Sequence, residues 1–204
     1  MSSQKSTAAA RTPRRQRGLE RVASLLEAAA ACFVEKGYDA TTMTEIAARA
    51  GAAIGSLYQF FPTKERVAQA LLDQYAQALY ARLAKLTKLS SKWSTDQLGA
   101  GLTRFLVAFR RSHPAFVMLA ESTTVPNEYS MAIRQRLRAE LQALLGLHAP
   151  HLPTAELQAI TVAVQQLMKA AVAVNAEPGL TGRKAALEQL QHMMQLYLRT
   201  ALSN

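Results

Sequence analysis

The chain has 204 residues, half of them hydrophobic, which is enough for one compact domain or for a small domain beside a larger one. Its net charge of +10 favours an acidic partner such as nucleic acid, and its single cysteine excludes an intramolecular disulfide and fits a reducing cytoplasm. The sequence has no recognisable signal peptide and no run of about 18 uninterrupted apolar residues, so we expect neither export nor a membrane-spanning helix.

The N-terminal residues are polar and basic. Six lysines and arginines stand against one acid in the first 21 positions, and no apolar period is present up to residue 18. This composition predicts a disordered basic arm over residues 1–18. Two interpretations are open: the arm binds DNA phosphates or a minor groove, or it is only a solubilising tail.

A first helix is predicted over residues 19–36, where Gly37 ends it. Its apolar side chains recur at helical spacing and are Val22, Leu25, Leu26, Ala29 and Phe33. Cys32 lies next to this stripe, so we expect it to be a small core residue rather than a redox sensor.

A second, short helix is predicted to begin just after Thr42. Thr42 and Glu45 have the spacing of a capping box, in which each residue satisfies a backbone N–H near the other. Gly51 stands where this helix should end, because glycine enters the left-handed C-cap conformation without strain.

A third helix is predicted over residues 54–60, with Leu57 and Phe61 directed inward and Ser56 and Gln59 directed away. Two helices that cross at a turn of three or four residues form a helix-turn-helix. The second helix of such a motif fits the major groove of DNA.

The rest of the chain is rich in alanine and leucine and lacks regular alternation, which predicts an all-α fold. The expected helices are residues 64–89, 95–112, 115–122 and 128–147 and two long C-terminal helices joined by a turn at 178–182, with a loop near 87–94. The first long C-terminal helix is apolar on more than one side. The pair therefore suits a four-helix interface between two subunits, although packing wholly within one subunit is the alternative.

An ordered set of residues resembles the N-terminal domain of TetR-family transcriptional regulators over residues 19–79. It comprises Gly37-Tyr38, Thr41-Thr42, Ile46-Ala47, Ala50-Gly51, Gly55, Leu57-Tyr58, Phe61 and Lys64. The resemblance implies a three-helix DNA-binding domain at residues 19–66 and a larger helical ligand-binding and dimerisation domain at 67–204. It further implies a cytoplasmic homodimer that binds a palindromic double-stranded DNA operator.

The candidate DNA-binding residues follow from this resemblance and from the chemistry of DNA. Hydroxyl and ammonium groups suit phosphates, whereas Gln59, Ser56 and Ile54 suit base edges or a thymine methyl. The sequence departs from many relatives at Ala53, Ile54 and Phe60. We therefore expect apolar contacts to contribute more to DNA recognition, and direct hydrogen bonds to contribute less. The full set is Thr42, Thr44, Ala53, Ile54, Gly55, Ser56, Tyr58, Gln59, Phe60 and Lys64.

The larger domain offers candidate ligand contacts, each of which has ordinary core packing as its alternative. Six of them are apolar or aromatic wall residues, and two, His113 and Glu121, would orient a polar end. The wall residues are Phe105, Phe109, Phe116, Met118, Tyr129 and Met168.

The four histidines are scattered and lack partners at metal-ligand spacing, and no nucleophile motif or phosphate loop is present. We therefore expect no catalysis, no cofactor and no metal. The sequence predicts a DNA-binding regulator, namely a repressor released by a small apolar or amphipathic ligand. The alternatives are a TetR-like regulator without a small-molecule inducer and a helical enzyme.

Overall fold

The computed structural model describes residues 14–203, and these residues form nine α-helices and no strand. The all-α class expected from the sequence is confirmed. Contacts divide the chain into two compact units, one that ends at Val67 and one that begins at Ala68. The helices are α1 (Arg14–Ala40), α2 (Met43–Arg49), α3 (Ile54–Phe60), α4 (Lys64–Ser90), α5 (Thr95–Ser112), α6 (Pro114–Glu121), α7 (Asn127–His148), α8 (Thr154–Ala176) and α9 (Arg183–Ala201).

Helix α1 begins at Arg14, five residues before the predicted start. Residues 14–18 therefore belong to a helix and not to a disordered arm, whereas the rest of the predicted arm, residues 1–13, lies outside the described residues. Gln16 and Arg17 are exposed, so this first turn needs no apolar stripe there. Backbone hydrogen bonds and an exposed bond between Gln16 and Glu20, one turn apart, hold it in place of core packing.

Gly37 interrupts α1 near its C-terminal end, with φ 82° and ψ 163°. Only glycine adopts this backbone region readily. The helix resumes and ends at Ala40, four residues beyond the predicted end. The Thr41 hydroxyl donates to the Gly37 carbonyl oxygen at 2.7 Å and fixes the chain after the interruption.

The core of the N-terminal unit is built from the predicted apolar positions of its first three helices. Four of these side chains are fully buried, namely Leu25, Phe33, Ile46 and Leu57. Helix α2 packs against both α1 and α3. Cys32 is buried among them, as expected of a core residue.

The C-terminal unit is centred on α5, which packs against α8 and α9, while α7 packs against α8. Close approach of α5 and α9 depends on Gly99, because a Cβ atom there would lie 3.1 Å from the Gln195 Cα atom. At the start of α5, Ser94 forms a capping box with Gln97. Asp96 lies in the first turn of α5 and forms a bidentate ion pair with Arg199 on α9.

Most predicted helix ends in this unit lie within about two residues of the structure, because prolines fix them. Pro114 occupies the first position of α6, so the chain breaks at His113 as expected. The predicted loop at 87–94 is shorter than expected, since α4 continues through Ser90.

Helix α8 is long and apolar enough, by length and composition alone, to cross a membrane. The core helix of a soluble protein meets the same criterion, so this is a weak indication. Only 39% of its most apolar stretch is buried within the chain. On α9, Met194 and Leu198 are buried, whereas Met193 and Leu196 are 53% and 46% exposed. These two helices therefore carry apolar surface that their own unit leaves partly uncovered.

Candidate DNA-binding surface and ligand cavity

The turn between α2 and α3 is set by Gly51, whose φ is 60°. The Gly51 N–H donates to the Ala48 carbonyl, and the Ala52 N–H donates to the Ala47 carbonyl at 2.9 Å. These two bonds are the Schellman arrangement that ends a helix at a left-handed glycine. The turn thus fixes the direction in which α3 leaves α2.

Helix α3 is anchored on one face and exposed on the other. Leu57 and Phe61 are buried, as predicted. Outside this anchor, Ile54, Tyr58 and Phe60 are 41%, 49% and 40% exposed. These large exposed apolar and aromatic groups are candidate contact residues for a partner. Of the other predicted contacts on and beside α3, Ser56 is half-buried and the rest are exposed, namely Ala53, Gly55 and Gln59.

Thr42 and Thr44 are both exposed at the start of α2. The capping box predicted from the sequence is confirmed: the Thr42 hydroxyl accepts from the Glu45 N–H at 3.2 Å, and the Thr42 N–H donates to the Glu45 carboxylate at 2.9 Å. The same hydroxyl lies 3.0 Å from the carboxylate and donates to it. The Thr42 proton that was expected to reach a phosphate is therefore already used within α2.

Lys64, the first residue of α4, has a role that the sequence did not reveal. Its ammonium group donates to the carbonyl oxygens of Tyr38, Asp39 and Thr41 at 2.8, 3.0 and 2.9 Å. It also lies 4.6 Å from the centre of the Tyr38 ring. An ammonium group has three donors, and all three are used. Lys64 therefore ties the C-terminal end of α1 to the start of α4.

Two ion pairs connect α1 to α2. Lys36 pairs with Glu45 at 2.5 Å, and Arg49 forms two bonds to Glu35 at 2.5 and 2.6 Å. The hydrogen bond from Lys36, followed by that from the Thr42 backbone, lowers the pKa of Glu45 to about 2. Both pairs are exposed, so each adds little to stability.

The C-terminal unit contains a cavity of about 130 Å³. Side chains from α4, α5, α6, α7 and α8 line it. Its apolar wall residues are Leu79, Leu106, Phe116, Ala120, Ile133 and Leu137, and its polar and basic ones are Arg110, Ser130, Arg134, Gln165 and Lys169.

Of the predicted ligand contacts, Phe116 lines this cavity. Phe109 and His113 instead stack on each other, with ring centroids 4.3 Å apart, beside Tyr75. His113 Nδ1 lies 2.9 Å from the Phe109 carbonyl oxygen, so its polar edge is directed at its own helix. Met168 is fully buried in the core, and the Glu121 side chain lies outside the described residues. The half-buried Phe105, Met118 and Tyr129 are not among the residues that line the cavity.

Within residues 14–203, no group of three or more histidine, cysteine, aspartate or glutamate side chains is placed to hold a metal ion.

Two family models match the chain. Residues 25–71 match the bacterial regulatory proteins of the tetR family, and residues 96–198 match the tetracyclin repressor-like C-terminal domain, which alone covers half of the chain. The chain belongs to the TetR family.

A curated relative of this TetR-family protein is the HTH-type transcriptional repressor KstR2 of Mycobacterium tuberculosis (strain ATCC 25618 / H37Rv). The two are 48% identical over 58 residues, which are 28% of this chain and 29% of the repressor. The match thus spans less than a third of the length of that relative.

Two solved structures share the fold over most of the chain. A TetR-family transcriptional regulator from Streptomyces coelicolor has a TM-score of 0.65 and 22% identity, and the alignment covers 89% of this chain and 99% of that chain. The regulator FadR from Bacillus subtilis in complex with stearoyl-CoA has a TM-score of 0.63 and 15% identity, over 89% and 97% of the two chains. At these identities the likeness establishes the fold alone.

Sequence reasoning missed the basic lining of the cavity in this TetR-family protein. Arg110, Arg134 and Lys169 stand on α5, α7 and α8. No spacing rule brings three different helices together. Gln165, one of several polar residues on α8, is buried, and its side chain bonds to the Arg138 side chain and the Arg134 carbonyl.

Proposed function

We propose that this TetR-family DNA-binding regulator is a cytoplasmic homodimeric repressor that binds a palindromic operator through α3 and is released by a small apolar or amphipathic ligand. The observation that carries the DNA-binding part is α3 itself. Its inner face is anchored by Leu57 and Phe61, and its outer face presents Tyr58 and Gln59 after the Gly51 turn.

The outer face of α3 suits both kinds of DNA contact. Tyr58 supplies a hydroxyl for a phosphate, and Gln59 has the paired donor and acceptor that match adenine. Ile54 and Phe60 supply apolar surface for thymine methyl groups. Readout through these four side chains is mainly apolar, with Gln59 as the principal hydrogen-bonding reader.

Two substitutions on α3 separate these roles. Tyr58→Phe should weaken binding to every duplex alike, because a phosphate contact carries no sequence information. Gln59→Ala should cost about 1–3 kcal/mol on the preferred sequence and relax the preference at one base position. Fluorescence anisotropy with preferred and random duplexes measures both, and Gln74→Ala, an exposed site on α4, is the control. Equal losses on both duplexes for Gln59→Ala would refute its reading role.

The uncovered surface of α8 and α9 supports the dimer. Met193 and Leu196 are about half exposed on α9, and α8 is apolar well beyond its buried side. Two copies of this helix pair would cover both surfaces in a four-helix interface.

Charge placed on this surface tests the dimer. Met193→Glu and Leu196→Glu should shift the chain from dimer to monomer in sedimentation at micromolar concentration, since a buried unpaired carboxylate is costly. Gln135→Glu, at an exposed position on α7, should leave the dimer intact. A dimer that persists in both α9 variants would place the interface elsewhere.

Control by a ligand requires that the ligand favour the state that cannot bind DNA. We propose that α4 carries the change, because its first residues belong to the N-terminal unit and Leu79, further along the same helix, lines the cavity. A shift of α4 would alter the spacing of the two recognition helices in a dimer, whereas the duplex fixes the spacing of its half-sites.

Linkage supplies the test of this mechanism. The ligand and the operator must weaken each other by the same factor, typically about 5- to 150-fold. Ligand titrations of free and operator-bound protein measure it. Equal ligand affinity in both states would favour the alternative, a regulator without a small-molecule inducer.

A further inference from the structure

Four rings from α4, α5, α6 and the break between α5 and α6 form an aromatic cluster, namely Tyr75, Phe109, Phe116 and His113. The Phe109 and His113 rings stack, and Phe116 meets Phe109 edge-to-face with centroids 5.4 Å apart. Tyr75 meets His113 at 5.3 Å and Phe116 at 6.1 Å, again edge-to-face. Aromatic pairs favour this geometry, so the cluster holds α4 against α5 and α6.

Phe116 belongs both to the aromatic cluster and to the wall of the cavity of about 130 Å³. Its side chain is buried, whereas Tyr75 is half-buried and is not one of the described residues that line the cavity. The cavity residue on α4 is Leu79, which stands one helical turn after Tyr75. An occupant of the cavity would therefore contact Phe116, and Phe116 in turn contacts Tyr75.

Helix α6, which carries Phe116, is the part of the cavity wall least able to resist displacement. It has 8 residues, whereas the other four helices that line the cavity have 18 to 27. A helix this short is marginal on its own and depends on packing. Its N-cap residue, His113, gives no side-chain hydrogen bond to the first turn. An occupant larger than the cavity should therefore displace α6 before it displaces the longer helices.

We infer that the contact between Phe116 and Tyr75 transmits occupancy of the cavity to α4, with Tyr75 as the residue that receives the displacement. Packed side chains leave little free space, so movement of Phe116 must move a neighbouring ring. Phe109 is fully buried on α5, and His113 Nδ1 lies 2.9 Å from the Phe109 carbonyl oxygen, so these two rings are fixed to α5. Tyr75 is the member of the cluster that belongs to α4. This inference rests on the proposed control by a ligand and names the contact through which that control acts.

Cavity-filling substitutions stand in for a ligand in the test. Ala120→Leu on α6 and Leu137→Phe on α7 each add apolar atoms to the cavity from its own wall. Hydrogen exchange is measured on the full chain without DNA. Both variants should lose protection in α6 and in the part of α4 around Tyr75. Because the two substitutions stand on different helices, either one suffices if the other variant fails to fold.

A second substitution at Tyr75 decides the route. In a double-mutant cycle, Tyr75→Leu gives Phe116 room, so the filled cavity should still perturb α6 but no longer perturb α4. Gln77→Leu introduces the same side chain at an exposed site on α4 and should leave the α4 loss in place. An α4 loss of the same size with and without Tyr75→Leu would overturn the inference. Filled cavities that leave α4 unchanged would overturn it as well.

Affinity for the preferred duplex separates this inference from the proposed function. Both cavity-filling variants should bind that duplex at least about fivefold more weakly, the lower end of typical coupling between two sites, and Tyr75→Leu should restore the affinity. Weaker binding that Tyr75→Leu does not restore would overturn the role of Tyr75 while ligand control stands. Loss of α4 protection through Tyr75 with unchanged duplex affinity would support the contact and refute the proposed release.

Discussion

Removal of the Lys64 ammonium group should destabilise the N-terminal unit, and this loss of stability should precede any direct effect on DNA binding. Lys64→Met keeps the unbranched chain but loses three hydrogen bonds of 2.8–3.0 Å to backbone carbonyls and the contact with the Tyr38 ring. Hydrogen bonds from a charged group contribute about 1.5–3 kcal/mol each, but one side chain holds all three and water solvates the freed carbonyls. We therefore expect a total loss of about 2–3 kcal/mol.

Hydrogen exchange measures this loss locally. Amides of α2, α3 and the C-terminal end of α1 should lose protection in Lys64→Met, while amides of the C-terminal unit should not. Lys85→Met, at an exposed site on the same helix, should leave both units unchanged. Unchanged protection combined with weaker binding to all duplexes would refute the structural role and restore Lys64 as a phosphate contact only.

Three further predictions concern acid, packing and salt. Since the pKa of Glu45 is lowered to about 2 from 4.5, its stabilisation is present above about pH 4.5 and is lost as pH falls through about 2. Glu45→Gln should therefore be less stable than the unsubstituted chain at pH 7. In circular-dichroism melts it should also lose less stability between pH 4.5 and pH 2. A loss of stability over that range as large as that of the exposed-site control Glu27→Gln would contradict this. Gly101→Ala places a Cβ atom 2.5 Å from the Trp93 ring, so the variant should lose about 1–3 kcal/mol and shift the emission of the single tryptophan; an unchanged melt and spectrum would disprove the contact. Deletion of residues 1–13 removes two positive charges, so the slope of log affinity against log salt should become shallower by at most about 1.8, and an unchanged slope would mark the segment as a tail.

Local rules explain what the sequence predicted well. The Thr42 capping box, the left-handed Gly51 and the buried pair Leu57 and Phe61 each depend on residues within one turn or one helix. Their physical requirements are visible in spacing alone. The helix-turn-helix could therefore be placed to within a residue.

Long-range geometry explains what the sequence did not predict. Lys64 meets carbonyls 23 to 26 residues earlier in the chain, and such a contact leaves no local pattern. Phe109 and His113, predicted as ligand contacts, instead stack on each other. Arg110 and Lys169 line the cavity from two different helices. The start of α1 was missed for another reason: an exposed helical turn needs no apolar stripe.

Selection of bound duplexes from a random pool by the purified chain tests the central claim most directly. A two-fold dimer with one α3 per subunit should enrich an inverted repeat whose half-site centres are separated by about 34–36 Å or a multiple of it. Enrichment should also fall at one position of each half-site when Gln59→Ala protein is used. A pool without any enriched sequence, or with a motif that lacks inverted symmetry, would contradict recognition by a symmetric pair of α3 helices.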